Sequence, residues 1–488
     1  MVIRFGRSLL DHVVLFLCGY FCLQVLVRLL TTPGLVIDES EQMLLTQSFA
    51  LGYNAQPPLY TWMQMLFFHI FGPGILALTL LKNLLLGLAY LFTYLAGCRL
   101  TDNRRTAALA ALSLLLLPQI VGEAQVDQIH SVLVTTAAAT TLYLLIRLLQ
   151  GGTTALFLWI GVTVAAGILA KYNFLLMAVA LLLSSCLIPE YRRILLRPPL
   201  VLTVLTAVLL VAPHAFWVLS HPDLASAETL ERMQLHQSSG YLANVWRGTI
   251  DLLVATLAFV GPFLGVCLLV HRSPQPFQLN PQARLLGGFI ALSLLLIFLV
   301  ILATETTQIK QRWLQPFLFA FPLLFFLVRP AAEPLQLRTA LIPTLATATG
   351  LIVTAVIPLR IYLVDTFDEP RRDNYPFRAL AQTINADGFA EGLIITEDKF
   401  IGGNMRLFFP DATVITPSLP LQPYQLTPQL LVVWQHFDPV TMIDQENLDA
   451  YRCRSYRVEL PFRHSQTFSY QVRYRICRQK EGSGTDGN

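Results

Sequence analysis

The apolar residues of this chain are gathered into runs long enough to cross a lipid bilayer, and that spacing constrains the fold more than any other feature. A hydrocarbon core of about 30 Å needs a helix of roughly 20 apolar residues, and within it every backbone polar group must be satisfied inside the helix. Such runs fall at about 9–30, 74–97, 106–122, 129–149, 155–170, 174–189, 198–219, 249–270, 285–303, 314–328 and 338–359. They predict an α-helical polytopic membrane protein with about eleven spans. Composition agrees: 13% of the 488 residues are charged, against about 25% in soluble chains. A net charge of +4 leaves no basic footprint for nucleic acid.

Orientation follows from the basic residues of the short loops, which favour the cytoplasm. Arg4, Arg7, Arg99, Arg104, Arg105, Arg147, Arg192, Arg193, Arg197, Arg272, Arg284, Arg329 and Arg338 fall on one side. The opposite loops carry Lys171, Arg232, Arg247, Lys310 and Arg312. The N-terminus is therefore expected in the cytoplasm. Its first apolar run is too long for a signal peptide and lacks a small-residue cleavage site, which predicts a retained span. An odd span count places the polar C-terminal segment outside, and an inner (plasma) membrane location is expected. The outer loops collect Asp38, Glu39, Glu41, Glu123, Asp127, His130, Lys171, His221, Asp223, His236, Glu305, Lys310 and Arg312. Polar groups gathered at one face of a membrane protein suit an active site there.

Residues 1–364 form the expected membrane domain, with a first outer loop at 31–73. From 365 to 480 the segments GLIITED, ATVIT and QLLVVWQH read as buried strands and KFIGGNMRLFF as a helix between the first two, which predicts a small extracytoplasmic α/β domain. YRCRSYRVEL and YQVRYRIC alternate polar and apolar as a terminal hairpin. Cys453 and Cys477, near its opposite ends, are candidates for a disulfide. The tail 481–488 reads as disordered. Cys18, Cys22, Cys98, Cys186 and Cys267 sit in or beside apolar runs as small core residues.

The first outer loop carries the densest polar chemistry, DESEQMLLTQSFALGYNAQPPLYTW at 38–62. Asp38 and Glu41, three apart, have the spacing of a capping box in which Asp38 caps a helix and Glu41 reaches back. Glu39 is left over, and three carboxylates within four residues repel unless a cation or a proton relieves them. Met43, Leu44, Leu45 and Phe49 could line one face of a short interfacial helix ended by Gly52. Gln56-Pro57-Pro58 breaks the helix, and a second helix is predicted over Leu59–Phe71 before Gly72-Pro73-Gly74.

An Asp-Glu pair just after the first span, a Gly-Tyr followed by Pro-Pro-Leu and a tryptophan, and a helical second outer loop with an aspartate together resemble glycosyltransferase family 39 and the aminoarabinose (ArnT-like) transferases. These are polyprenyl-phosphate-sugar-dependent enzymes of the GT-C fold. The resemblance covers residues 9 to about 360. It implies Asp38 as general base, Glu39 as its paired acid, and Asp127 as the second-loop acid that binds a metal or orients the acceptor. It implies Lys171, Lys310 and Arg312 at the donor phosphate. Tyr53, Gln56, Tyr60 and His130 are the substrate-binding candidates. The chain departs from the aminoarabinose transferases at Ala55 and Gln56, where they have an acidic residue and a lysine. Metal use and sugar identity therefore stay open; a divalent ion (Mg²⁺, Mn²⁺ or Zn²⁺) on Asp38 and Asp127 is one arrangement, and Lys310 and Arg312 acting alone on the phosphate is another.

The expected partners are a polyprenyl-phosphate sugar donor, an acceptor that is lipid A, a glycan or a protein, and membrane lipids. Simpler roles remain for each residue. Lys171, Lys310 and Arg312 are equally placed to snorkel to headgroups, Trp62, Trp246 and Trp313 to anchor the interface, and His130, His214 and His236 to be structural. A multi-span transporter with an outer accessory domain is the alternative function, and an assembly scaffold a further one. A transporter calls for broken or polar helices near mid-membrane in two related halves, which the runs above do not show.

Overall fold

The computed structural model describes residues 2–101, 103–225, 240–270, 279–329, 341–366, 370–419, 423–442 and 445–480. Arg232, His236, Arg272, Arg338 and the 481–488 tail lie outside the described residues. In chain order the helices that matter below are α1 (Val2–Thr31), α2 (Ile37–Leu45), α3 (Leu59–Phe71), α4 (Ile75–Leu100), α5 (Ile129–Leu149), α6 (Ala155–Ala170), α7 (Phe174–Cys186), α8 (Leu200–Ser220), α9 (Tyr241–Val270), α10 (Pro281–Thr304), α11 (Leu341–Tyr362), α12 (Phe377–Ala386) and α13 (Lys399–Phe408).

Among the described residues seven helices are long and apolar enough to cross a membrane, or up to nine if each of two bent pairs is one span. The protein is polytopic, and the expected count of eleven is corrected downward. The run at 106–122 is interrupted before Pro118 and bends by 73° between Arg104–Leu116 and Gln119–Val126. The run at 174–189 turns by 119° where Pro189 opens a new helix. Helix α6 and the segment Gln315–Val328, which contains Pro316 and Pro322, fall short of a full crossing. Apolar periodicity counts residues and is blind to direction, whereas a proline at a helix start lets the chain turn without losing a hydrogen bond.

The chain divides into two compact units. One comprises residues 1–24, 54–60 and 82–354, the other 25–53, 61–81 and 355–488. In the first, α6 packs closely on α8, and a Cβ on Gly161 would stand 2.6 Å from the Thr203 carbonyl oxygen. A small residue at the crossing is what lets two membrane helices approach without a solvent-driven core. Large apolar side chains such as Val201, Leu205 and Leu209 on α8 and Leu253 and Leu257 on α9 are exposed, as lipid-facing surfaces require.

The second unit holds a five-stranded sheet of β1 (Leu393–Thr396), β2 (Thr413–Ile415), β3 (Gln429–Trp434), β4 (Tyr451–Pro461) and β5 (Ser469–Gln479). Their order is β2-β1-β3-β5-β4, with β1 parallel to β2 and β3, and β5 antiparallel to β3 and β4. This is the α/β domain expected from the polar C-terminal segment. β1 and β3 are buried on both faces. Ile394, Leu431 and Val433 join a core with α12 and α13, while Leu393, Ile395, Leu430 and Val432 join a second cluster with Trp434 and Tyr451. Strands covered on both sides read as continuous apolar runs, which is why they were visible in the sequence. The edge strand β4 instead turns Arg452 and Arg454 to solvent, which discourages edge pairing with another chain. Cys453 and Cys477 are direct cross-strand partners, 4.0 Å apart at Cα, and are disulfide-bonded.

The five remaining cysteines are free. Alkylation of the denatured, unreduced protein is therefore expected to label five sites and alkylation after reduction all seven, read by intact mass. Equal labelling in both samples would show the Cys453–Cys477 bond to be absent.

Candidate active site

The acidic loop is built by Arg28, in the last turn of α1. Its guanidinium donates to the Thr32 carbonyl at 2.9 Å, the Gly34 carbonyl at 2.8 Å and the Glu39 carboxylate at 2.7 Å. One side chain thus closes the 32–36 turn and seats the first turn of α2. Glu39 is buried and also accepts from the Val36 N–H at 3.4 Å. This corrects the capping expectation. Val36 precedes the helix, the glutamate that reaches back is Glu39, and Asp38 lies inside the first turn. Glu41 is committed as well, with Lys399 of α13 at 2.6 Å. Glu39 and Glu41 are thus each paired with a cation, and Asp38 between the helix start and Glu39 is partly buried.

Helix α2 lies on α13. Gly403 faces Ser40 so closely that a Cβ there would stand 2.3 Å from the Ser40 carbonyl oxygen. Asn404 accepts from Leu35 N–H at 2.9 Å and donates to Ser40 Oγ at 3.2 Å, and Arg406 donates to the Met43 carbonyl. Burial pushes the Arg406 guanidinium down to about 10. Met43, Leu44 and Leu45 were expected to face lipid. They are buried in protein instead, Met43 with Leu35 and Leu78 and the two leucines in the core that also holds Ile394 and Val414. The helix ends at Leu45, seven residues before Gly52, with the Thr46 hydroxyl donating to the Gln42 carbonyl at 2.6 Å. Tyr53 then holds the loop, accepting from Ala50 N–H and donating to the Ser48 carbonyl, each at 3.1 Å. Burial raises its phenol above the usual range. Trp62 donates to the Ala50 carbonyl at 2.9 Å and stacks on Phe49, so it clasps the loop.

In the other unit, Asn54 accepts from Gln56 N–H at 2.9 Å and sets the turn into Pro57-Pro58. Helix α3 begins at Leu59, as predicted. Tyr60 is fully buried with its ring 5.7 Å from that of His130 on α5. Asp127 ends the segment that follows a π-turn at Gln119–Glu123, and Gln128 beside it is held at φ 71°. π-turns and left-handed non-glycine residues concentrate at functional sites. A glutamine network supports that backbone: Gln128 donates to Gln119 at 3.2 Å, Gln315 donates to Gln128 at 2.7 Å, and Gln119 donates to Gln311 at 3.0 Å. Gln311 is the residue between Lys310 and Arg312, so the network ties the predicted late basic pair to the segment that carries Asp127.

Lys171 sits at the break between α6 and α7 and donates to Ser131 Oγ, next to His130, at 2.8 Å. With Gln56 and Asn173 it lines a cavity of about 200 Å³ whose other walls include Leu176, Ile297, Val300 and Phe317. Ile309 and Trp313 of the late loop also line it, while Lys310 and Arg312 do not. Three cations escaped the sequence reading. Arg28 and Lys82 both lie in apolar runs, where a charged residue is itself a signal of use. Lys82 is buried and donates to the Gln125 carbonyl at 2.8 Å, beneath the loop of Asp127. Lys399 carried no local signal. Among the described residues no three His, Cys, Asp or Glu groups come together as a metal cluster.

Two solved structures of ArnT from Cupriavidus metallidurans, one bound to undecaprenyl phosphate and one in the apo state, match this fold. Their TM-scores are 0.63 and 0.62 at 13% identity, over 96% of this chain and 98% of theirs. Residues 55–217 match the dolichyl-phosphate-mannose-protein mannosyltransferase family. These likenesses define the fold as that of a polytopic membrane protein of the GT-C class. Two Rhizobium johnstonii proteins, the lipopolysaccharide core galacturonosyltransferases RgtA and RgtB, are each 32% identical to the chain. The alignments cover 88% of the chain and of RgtA, and 86% of the chain and of RgtB. The chain belongs to their glycosyltransferase family.

Glu39→Gln removes the counter-charge of a buried guanidinium, and breaking such a pair costs about 3 kcal/mol; thermal unfolding of the purified variant checks this. Gly403→Ala forces α13 away from α2 at a cost of about 1–3 kcal/mol. It is expected to lower transfer while every carboxylate stays in place, and unchanged activity together with unchanged stability would contradict the tight crossing.

Proposed function

We propose that the protein transfers a uronic-acid sugar, galacturonosyl by analogy with RgtA and RgtB, from a polyprenyl-phosphate donor to the lipopolysaccharide core. The observation that carries the donor assignment is the cavity in which Lys171, Gln56 and Asn173 accompany apolar walls. Such a lining suits a phosphate attached to a hydrocarbon chain. Lys171 is a basic residue that the family resemblance assigns to the lipid phosphate, and it shares the cavity with Gln56.

In the reaction we propose, an acceptor hydroxyl attacks the anomeric carbon, the bond from that carbon to the phosphate oxygen breaks, and polyprenyl phosphate leaves with the electron pair. The transition state has oxocarbenium character, as in glycoside hydrolysis. Cations at the leaving phosphate lower the barrier, a role assigned to Lys171 with Lys310 and Arg312. Asp38 accepts the acceptor's proton in a single inverting displacement, with Glu39 fixing the turn on which Asp38 sits. Asp127, Tyr60 and His130 are assigned to acceptor and sugar binding, with Tyr53 and Gln56 shaping the loop. Should transfer need a divalent ion, Asp38 and Asp127 are the carboxylates assigned to it. The site faces the periplasm, with the N-terminus in the cytoplasm of the inner membrane.

Asp38→Asn in purified, folded protein is expected to lower transfer from a polyprenyl-phosphate donor by about 10²–10⁴-fold, and undiminished transfer would eliminate the base assignment. Lys171→Met is expected to lower kcat/KM for the donor by about 10²-fold. Chelation with EDTA followed by metal re-addition tests the ion. Deleting the gene and weighing the cell-envelope glycolipids by mass spectrometry should reveal loss of one uronic-acid increment; loss of a hexose or pentose increment would correct the sugar.

A further inference from the structure

A second cavity, of about 870 Å³, lies wholly within the unit that contains the C-terminal sheet. Its composition is divided. The apolar side includes Leu29 and Leu30 from the last turn of α1 and Ile75, the first residue of α4. Leu29 and Leu30 are 41% and 73% exposed, although they end a span. The polar side is Arg378 of α12 with Arg463 and His464 from the turn between β4 and β5. Two span ends therefore fix this cavity at a membrane–water boundary, with cations on the side away from the span interiors.

The turn is held there by several bonds. Arg463 donates to Thr32 Oγ1 at 3.1 Å, and its backbone N–H donates to the Asn374 carbonyl at 2.7 Å. His464 is a non-glycine residue at φ 62°, with its ring 4.6 Å from Tyr362, the last residue of α11. The carboxylate of Asp365 is occupied by the Ser465 hydroxyl and by the Gln466 N–H at 2.7 Å. Asp373, whose charge Arg463 also feels, stands 4.0 Å from Arg371. Arg378 is exposed. A left-handed non-glycine turn persists only where its surroundings impose it, and here those surroundings hold Arg463 at the end of α1 and His464 at the end of α11.

We propose that this groove binds one membrane lipid with an acidic headgroup, its anionic group between Arg378 and Arg463 and its chains along Leu29, Leu30 and Ile75. Basic residues at the headgroup level next to exposed aliphatic surface match the two halves of such a lipid. A soluble anion would use only the polar half. The site is separate from the cavity of Lys171 and independent of the sugar-transfer reading, because its ligand is neither consumed nor produced there.

The test is native mass spectrometry of the full-length protein in detergent, with phosphatidylglycerol or phosphatidylcholine of identical chains as the probe. Phosphatidylglycerol should be retained preferentially, and Arg378→Gln should lower its occupancy about five-fold while phosphatidylcholine is unaffected and Arg378→Lys restores binding. Equal retention of both lipids, or an unchanged Arg378→Gln, overturns the proposal. So does displacement of phosphatidylglycerol by millimolar inorganic phosphate, which would mark a free-anion site. Should the variant fail to fold, a photoactivatable phosphatidylglycerol on wild-type protein decides: crosslinks to residues 461–465 support the groove, and crosslinks elsewhere only overturn it. All of these readouts are binding, so loss of transfer in the Asp38 and Lys171 variants leaves them unaffected.

Discussion

The Arg28–Glu39 pair is the interaction on which the acidic loop depends. Arg28 has a side chain only 15% exposed and Glu39 one only 2% exposed. Desolvating two charges is costly, and the cost is offset only when geometry and further hydrogen bonds are good. Arg28 meets that condition with two backbone carbonyls of the 32–34 turn in addition to the carboxylate. The pair therefore does more than join two residues: it sets where α2 starts, and so which face carries Asp38. Lys399 on Glu41 and Asn404 on Leu35 and Ser40 finish the seating from the side of α13.

The segment that carries Asp127 is organised by neutral groups instead. Gln119, Gln128, Gln311 and Gln315 have amide partners among themselves, and Gln315 also donates to the Gln119 carbonyl at 3.1 Å. A satisfied network of this kind rigidifies a polar interior at little electrostatic cost. It holds a π-turn and a left-handed residue in place next to Asp127, and the nearby bond to Ser131 orients Lys171. In the reaction we propose, the amides position the backbone and Lys171 supplies charge to the departing phosphate.

Much of the fold was legible because it is written in periods. The strands at 393–396, 413–415 and 429–434, the helix over Leu59–Phe71 and the hairpin with its cross-strand cysteines all follow local patterning of apolar residues and turn-formers. The span count was not legible, since the chain bends at Pro118 and Pro189 inside apolar stretches that hydropathy treats as straight. The capping register of α2 was misread for a related reason. Asp38 and Glu41 have the right spacing for a box, but Glu41 is drawn to a lysine far along the chain and Glu39 to an arginine inside a span.

By itself, the sequence determined that the chain crosses a membrane repeatedly, that polar groups gather in the loops assigned to one face, and that Asp38, Asp127 and Lys171 belong to the residues worth testing. Apolar length and charge placement are additive along the chain, so they survive without coordinates. Only the tertiary structure decided which cations pair with Glu39 and Glu41, that Met43 to Leu45 face protein and not lipid, that Gln56 and Lys171 share a cavity, and that Arg463 from the C-terminal domain reaches the end of α1. Each of those rests on a contact between residues distant in sequence, where the strength of a charge or an apolar side chain is set by the neighbour it meets.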